Sequence, residues 1–301
     1  MTKSIFTFFI VLFILSGCKS LQKTRQKDNS TDTQAQVDTT QQKIETVQVV
    51  IKDTIPTQEE VTIKIHPKKP DTISVIGVGD IMIGTNFPNE GYLPPDSGKY
   101  MLSSVAHVLK DADLTFGNQE GVILNEGGEA KSCSDPSVCY IFRSPEHLAS
   151  HYVDAGIDMM SLANNHAGDF GETGRKNTMR VLDSLGIHHA GQLAQPFTIF
   201  EHERIKYGFV AFSPNNGTQS INDLDAAKGI IQHLDSLSDI IIVSFHGGAE
   251  GKKYQHVTRE REYFYGENRG NVYEFSHEMI DAGADIIFGH GASCSQSNRS
   301  L

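Results

Sequence analysis

From residue 73 onward, short apolar runs that end in polar residues alternate with amphipathic segments, and this order constrains the fold more than any other feature. Buried strands are indicated by apolar runs such as "TISVIGVGD" and "DIIIVSFHGG", and helices by the spacing of apolar residues in "MLSSVAHVLKDAD" and "GRKNTMRVLDSLG". Two consecutive strands around a polar turn at Glu203 are predicted by "PFTIFEHERIKYGFVAFSP". A further helix is expected over "SPEHLASHYVDAGID", beginning at Ser144 or at the Ser-Pro pair. This alternation favours an α/β domain with largely parallel central strands.

Net charge and the glycine motifs exclude two classes of function. The 301-residue chain carries a formal charge of −11, which argues against a nucleic-acid partner, because such proteins bind phosphates with Lys and Arg. The stretch "GVGDIMIG" contains Gly-x-Gly without the full dinucleotide fingerprint, and Asp80 would repel a pyrophosphate. A Rossmann nucleotide site is therefore not expected.

The first eighteen residues have the features of a targeting segment. A lysine at position 3 precedes an apolar stretch over residues 5–15, which is too short to span a bilayer as a mature helix. The following "LSGC" resembles the bacterial lipobox, in which the cysteine is lipidated and becomes the new N-terminus. We therefore expect a lipoprotein signal peptide over 1–18 and a lipid anchor on Cys18. The alternative is an ordinary secretory signal cleaved nearby. Both alternatives export the protein from the cytoplasm, and the lipid anchor would place it in the bacterial cell envelope.

Residues 19–71 differ in composition from the remainder of the chain. Gln, Thr, Asp and Lys dominate the stretch "KSLQKTRQKDNSTDTQAQVDTTQQKIETVQ", which contains no aromatic residue and no glycine. Such a segment buries too little apolar surface to offset the entropy of ordering. We predict a disordered tether over 19–71 that holds a folded domain, residues 72–301, close to the membrane.

Polar side chains that can bind metals recur where the predicted strands end. They are Asp80, Asn118 and Glu120, Asn164, Asn165 and His166, His246, and His290. Taken singly, residues of these types at strand ends more often form turns, cap helices or serve as structural histidines than bind a metal. In open α/β sheets, however, the carboxyl ends of the strands form the ligand crevice, so such residues converge there. Carboxylate, amide and imidazole groups together suit Mn, Fe or Zn.

Five motifs resemble, in order, those of the CapA-like poly-γ-glutamate capsule synthesis family, which belongs to the calcineurin-like metallophosphatase superfamily. The motifs are "VGDIMIG", "GNQEG", "SLANNHAGDFG", "VSFHGGAE" and "AGADIIFGHG", and the resemblance covers residues 73–291. It implies a four-layer αββα sandwich around a site for two divalent metal ions.

The resemblance also implies roles for individual residues. Its implied metal ligands are Asp80, Glu120, Asn165, His246 and His290. His166 would donate a proton to a leaving group, while Asn164 and Asp169 would orient its loop. Asn118 and Glu250 stand near these ligands in the sequence and are expected to support them. No metal role is expected for His188 and its neighbour, which begin a strand, and residues 252–262 read as a solvated loop.

Cys133 and Cys139 bracket "CSDPSVC", a short loop that contains proline. Their spacing is poor for a zinc finger, and no second pair completes a tetrahedral site. Export to an oxidising compartment would favour a disulfide between them.

The last motif departs from the family pattern, which continues as Gly-His-x-Pro-His. Here the chain reads "GHGASCSQSNRSL", with Ala292 and Ser293 in place of the Pro-His pair. This ending predicts a shortened C-terminus and weaker metal binding or activity. The alternative is a naturally shorter variant.

These features support two functional hypotheses. The first is a lipid-anchored, metal-dependent hydrolase or transferase that acts on a cell-envelope polymer or its precursor. The residues leave the bond open, since a phosphate ester suits the superfamily and a γ-glutamyl amide suits the family's polymer. The second is a non-catalytic capsule assembly or anchoring lipoprotein.

Overall fold

The computed structural model describes residues 46–47, 63–64, 70–133, 139–251, 254 and 256–291. The chain divides into two units, Met1–Pro67 and Lys68–Leu301. In the first unit, β1 (Thr46–Val47) pairs antiparallel with β2 (Ile63–Lys64). Cys18, the predicted signal segment and most of the predicted tether lie outside the described residues. No helix in the described ranges combines the length and apolar character that a membrane crossing needs.

The second unit contains the remaining strands and helices. Its first half comprises β3 (Val75–Ile81), α1 (Ser103–Leu109), β4 (Leu114–Gln119), β5 (Val122–Ile123), β6 (Arg143–Ser144), α2 (Ser150–Ala155), β7 (Met159–Ser161), α3 (Gly171–Ser184) and β8 (His188–Ala190). Its second half comprises β9 (Phe197–His202), β10 (Ile205–Phe212), α4 (Leu224–Asp235), β11 (Ile240–His246), β12 (Glu262–Phe264), β13 (Glu267–Gly270), α5 (Val272–Asp281) and β14 (Ile286–His290).

The first sheet has four parallel strands in the order β3-β4-β7-β8. Helices α1, α2 and α3 cover one of its faces, where Leu109, Tyr152 and Leu182 belong to one buried cluster with Met160 of β7. The adjacent Met159 belongs to a different cluster on the opposite face, because successive side chains of a strand alternate. Both faces of this sheet are therefore buried, as is usual for parallel strands.

The second sheet has the order β14-β11-β10-β9, in which β9 alone is antiparallel to its neighbour. Glu203 and Arg204 turn the chain between β9 and β10 with positive φ angles of 48° and 65°. The predicted pair of strands around Glu203 is confirmed. Helices α4 and α5 cover the outer face, where Ile231 and Phe275 share a cluster with Val243.

The two sheets pack face to face through a central apolar layer. Phe116 and Met159 of the first sheet lie in one cluster with Phe209 and Ile242 of the second, and all four are fully buried. The rings of Phe116 and Phe209 meet edge to face, with centroids 5.8 Å apart. Burial of each such side chain contributes about 1.5–3 kcal/mol. Helix, sheet, sheet and helix layers thus follow one another, which confirms the predicted αββα sandwich.

The predicted helix start at Ser144 is wrong. Pro145 keeps an extended backbone, a 3₁₀ turn follows at Glu146–Ala149, and α2 begins only at Ser150. Ser144 instead ends β6, where its hydroxyl donates a 2.7 Å hydrogen bond to the carbonyl of Gly84.

Candidate metal centre

The carboxyl ends of strands from both sheets bring three of the sequence-predicted residues together. Asp80 lies opposite Asn118 in the first sheet, and His246 lies opposite His290 in the second. Ligand atoms of Asp80, His246 and His290 all lie within 4.8 Å of one another. Asp80 Oδ1 is 3.2 Å from His290 Nδ1 and 3.9 Å from His246 Nδ1. One carboxylate and two imidazoles thus face a common point.

The hydrogen bonding of these residues fits a divalent metal ion. Within the described part of the chain, neither ring nitrogen of buried His246 has a hydrogen-bond partner, and the buried Oδ1 of Asn165 also has none. His290 Nε2 lies 2.8 Å from the hydroxyl of Ser244, which orients the ring with Nδ1 on the Asp80 side. Buried polar atoms are normally paired, so these orphaned nitrogen and oxygen atoms match the donor set of a transition-metal site.

Asn118 connects the two carboxylates at the first sheet's edge. Its Nδ2 donates to Asp80 Oδ1 at 2.7 Å and lies 3.1 Å from Glu120 Oε2. Its Oδ1 accepts from Asn164 Nδ2 at 3.0 Å. Glu120 stands outside the three-residue cluster, and its other oxygen is 3.6 Å from His166 Nε2.

The "NNH" loop positions His166 beside Glu120. Asn164 anchors the loop, since its Nδ2 donates to the carbonyl of Gln119 and its Oδ1 accepts the backbone N–H of His166. His166 Nδ1 lies 2.8 Å from Asp169 Oδ2, a buried carboxylate oxygen that can only accept while ionised. The Asp169 carboxylate thus favours a proton on Nδ1, and Nε2 is the nitrogen that faces the site.

Burial and neighbouring charges shift the pKa values of the site residues in different directions. Burial alone would raise the pKa of Asp80, but contacts with His290, His246 and Asn118 outweigh it and hold the pKa at about 2. Burial, reinforced by the charges of Asp80 and Asp169, raises the pKa of Glu120 to about 8. Burial and the neighbouring His290 lower the pKa of His246. The carboxylate of Asp80 is thus ionised and His246 neutral near pH 7, which are the forms that bind metals.

Sequence reasoning missed Lys131 and Phe142, which also reach this site. Lys131 Nζ is 2.5 Å from Asp169 Oδ1 and 3.3 Å from His166 Nδ1. The ring of Phe142 packs on that of His166, with centroids 4.4 Å apart. Neither residue stands in a strand-end motif, so the sequence carried no signal for them beyond the nearby cysteine pair.

Glu250 is held by an arginine that the sequence did not single out. Arg269 is 3% exposed, and its guanidinium donates to Glu250 Oε1 at 3.0 Å.

The prediction of a solvated loop over 252–262 is wrong at the last residue of this range, because Glu262 begins β12 and is buried. Its carboxylate accepts the N–H of Ala249, which ties the loop after His246 to the β12–β13 hairpin.

Two other predictions concern residues near the motifs. His188 begins β8 as predicted, and its ring stacks on Phe200 of the neighbouring sheet. Ala292 and Ser293, on which the predicted C-terminal departure depends, lie outside the described residues.

The residues that match a known protein family include all strands and helices of the αββα unit. Residues 74–299 match the family model described as bacterial capsule synthesis protein PGA_cap. The chain belongs to this family. The predicted CapA-like family membership is thereby confirmed.

Relatives of this PGA_cap chain include two curated proteins of bacilli. The chain is 23% identical over 83% of its length to the capsule biosynthesis protein CapA of Bacillus anthracis, and 23% identical over 76% to the PGA biosynthesis protein CapA of Bacillus subtilis strain 168. It spans about three fifths of each relative, 61% and 60%.

One solved structure similar to the chain is a putative 5'-nucleotidase from Staphylococcus aureus in complex with alpha-ketoglutarate. The identity is 17%, the match covers 73% of this chain and 45% of the other, and the TM-score is 0.42. Because the TM-score is this low, the assignment of an αββα architecture is based only on the sheets and helices of this protein.

Proposed function

We propose that this PGA_cap protein is an exported, lipid-anchored component of capsule or poly-γ-glutamate-type polymer synthesis, with a metal-dependent hydrolase or transferase site. The observation that carries the proposal is the convergence of Asp80, His246 and His290, with both nitrogens of His246 buried and without hydrogen-bond partners in the described chain. The names of the two bacillus relatives, capsule biosynthesis and PGA biosynthesis proteins, support the polymer.

Five residues would hold the metal ions, two in number and of the Mn, Fe or Zn type. They are Asp80, Glu120, Asn165, His246 and His290. When bound, such ions lower the pKa of a coordinated water and stabilise negative charge on a substrate oxygen. Asn118 keeps Asp80 and Glu120 close together through its Nδ2, and Glu250 is fixed near them by Arg269.

His166 would deliver the proton that a leaving group requires. Its Nδ1 lies 2.8 Å from Asp169 Oδ2, which fixes the orientation of the ring. In the protonated ring, the Nε2 proton is the one on the Glu120 side, where it can pass to a leaving oxygen or nitrogen. A general acid of this kind contributes about 10²–10⁴-fold to the rate.

The substrate would be a cell-envelope polymer or its precursor. Lipidation of Cys18 and a tether over 19–71 would keep the site within reach of the membrane surface. The arrangement accepts either a phosphate ester or a γ-glutamyl amide, because both reactions develop negative charge on an oxygen and need a protonated leaving group.

The proposal is tested by metal analysis and turnover of the full chain, with an Asp80→Asn variant and an exposed control, Asp154→Asn. We expect Asp80→Asn to lose metal and to reduce hydrolysis of bis-p-nitrophenyl phosphate or γ-glutamyl-p-nitroanilide by at least about 100-fold. Asp154, whose side chain is 74% exposed, should tolerate the change.

A genetic test separates this proposal from the non-catalytic assembly role. In a strain that lacks the gene, His166→Ala should fail to restore the surface polymer although it is exported and folded. Full restoration by His166→Ala, together with no turnover of either substrate class by the wild-type chain, would contradict an enzymatic function.

A further inference from the structure

The two arms of a disulfide-closed loop, residues 131–133 and 139–142, lie against the His166 side of the site, and the proposed mechanism makes no use of them. Cys133 and Cys139 are joined by a disulfide, with their Cα atoms 5.7 Å apart. Lys131 lies just before the first cysteine and Phe142 just after the second. The disulfide removes residues 134–138 from the covalent path between Lys131 and Phe142, so these two residues are tied closely to each other.

Both arms of this loop bind Asp169. From one arm, the backbone N–H of Lys131 donates to the carbonyl of Asp169 at 2.8 Å, and Lys131 Nζ is 2.5 Å from Oδ1. From the other arm, the backbone N–H of Phe142 donates to Oδ2 at 2.7 Å. The side chain of Asp169 is 0% exposed, so Lys131 supplies the cation that its buried charge needs.

The same two residues also contact His166. Phe142 packs on the imidazole ring, while Lys131 Nζ lies 3.3 Å from Nδ1 and donates to the carbonyl of Asn165 at 3.4 Å. The Asp169–His166 pair is therefore contacted by both arms. Rotation of the imidazole, or movement of Asp169 away from it, would break contacts with the two arms.

We infer that the two disulfide-joined arms, residues 131–133 and 139–142, form a clamp on the catalytic side of the metal centre and that Lys131 is its positioning residue. The disulfide keeps Lys131 and Phe142 on the two oxygens of Asp169, and Asp169 in turn keeps His166 Nδ1–H directed away from the substrate. This role deepens the proposed function, since it assumes that His166 is the proton donor.

The test uses the full chain and four variants: Lys131→Met, Lys131→Arg, the double variant Cys133→Ser/Cys139→Ser, and exposed Lys176→Met as a matched control. The first readout needs no turnover. A slowly exchanging Nδ1–H proton of His166 should be visible by NMR in the wild type, assigned by its absence from His166→Gln. We expect this resonance to be lost in Lys131→Met and in the cysteine variant, and retained in Lys176→Met and Lys131→Arg.

The second readout is kinetic. Lys131→Met and the cysteine variant should each lower kcat by about 10–100-fold, with KM and metal content within about twofold of wild type. Combining them should cost little more than the larger single effect, because both act on Asp169. Lys131→Arg should restore most of kcat.

The outcomes distinguish this inference from the proposed function. A retained Nδ1–H resonance in the folded cysteine variant would overturn the clamp, even if the enzyme is active. If Lys131→Met does not fold, the cysteine variant decides, since it leaves the Lys131 charge in place. Loss of the resonance without any wild-type turnover would support the clamp and contradict the enzymatic proposal.

Discussion

Asp80 and Glu120 both contact Asn118 Nδ2, yet their pKa values are shifted in opposite directions. Asp80 faces two imidazoles, which hold its pKa at about 2 despite burial. Glu120 is desolvated and lies near other carboxylates, so its pKa is raised to about 8. Environments that separate the pKa values of neighbouring carboxyl groups are typical of functional sites. A metal ion at this position would offset the cost of ionising Glu120.

The raised pKa of Glu120 predicts how pH affects the metal-free protein. Because this pKa is about 8 in the folded chain and ordinarily 4.5, the stabilising contribution of protonated Glu120 is fully present below pH 4.5 and is lost as the pH rises to 8. Glu120→Gln cannot ionise, so it should raise the free energy of unfolding at pH 8 by roughly 1–4 kcal/mol, since one pKa unit corresponds to about 1.4 kcal/mol. The gain at pH 5 should be much smaller.

Urea unfolding of chelator-treated protein at the two pH values measures this difference. The exposed Glu129→Gln serves as the control and should change stability by less than about 0.5 kcal/mol at either pH. An equal effect of Glu120→Gln at pH 5 and pH 8 would contradict the assigned shift.

At the level of secondary structure, the site depends on how strands β11 and β14 end. Their parallel register sets His246 beside His290, and Ser244 within β11 orients the second imidazole. Gly291 follows directly with a φ of +108°, and a Cβ there would lie 3.0 Å from the His246 ring. The backbone therefore needs a residue without a side chain at this point, both for its conformation and for the close approach of the ring.

Gly291→Ala should accordingly disturb the metal centre from outside the ligand set. We expect a loss of about 1–3 kcal/mol in stability from the strained backbone, and weaker metal binding because the His246 ring must move. Calorimetric titration with Mn²⁺ or Zn²⁺ and urea unfolding measure the two effects. Gly229→Ala in α4 is the matched control, since a Cβ there meets nothing within 4 Å and should stabilise the helix by about 0.5–1 kcal/mol. Unchanged metal affinity in Gly291→Ala would show that the His246 ring tolerates the added methyl group.

For the αββα unit as a whole, the layer between the two sheets determines how the halves of the site are joined. Asp80 and Glu120 come from the first sheet's side, whereas His246 and His290 come from the second. Phe116 stacks on Phe288 at 5.0 Å and meets Phe209 edge to face, so aromatic contacts cross the interface directly beneath the site's strands. Sheet packing and assembly of the ligands are therefore coupled.

Removal of a central side chain should lower both stability and metal affinity. Phe209 is fully buried in this layer, and Phe209→Ala is expected to cost about 3–5 kcal/mol. Tyr265→Ala, at a side chain that is 81% exposed, should change stability by less than about 0.5 kcal/mol. Urea unfolding followed by two probes tests this, and a loss below about 1 kcal/mol in Phe209→Ala would mean that the interface repacks.

Many of the strands and helices could be predicted from the sequence because the patterns that indicate them are local. Apolar runs and helical spacing predicted the strands and helices, including the hairpin at Glu203, since hydrophobic periodicity follows directly from the geometry of each element. Ser144 was misassigned because Pro145 extends the chain locally, a detail that overrides the helix signal around it. Glu262 was misread as solvated because its partner, the N–H of Ala249, belongs to a different segment.

Polar residues after successive strands predicted that Asp80, His246 and His290 lie close together, because parallel strands of one sheet deliver their ends to one edge. That reason covers His246 and His290, whereas Asp80 ends a strand of the other sheet and reaches them through the packing of the two sheets. The folded structure was needed for the rest. Lys131 reaches Asp169, and Arg269 of β13 reaches Glu250, only because segments that are distant in the sequence fold together near the strand ends. The pKa of Glu120 likewise depends on burial and on charges brought close by the fold, and neither is encoded in the residues next to it.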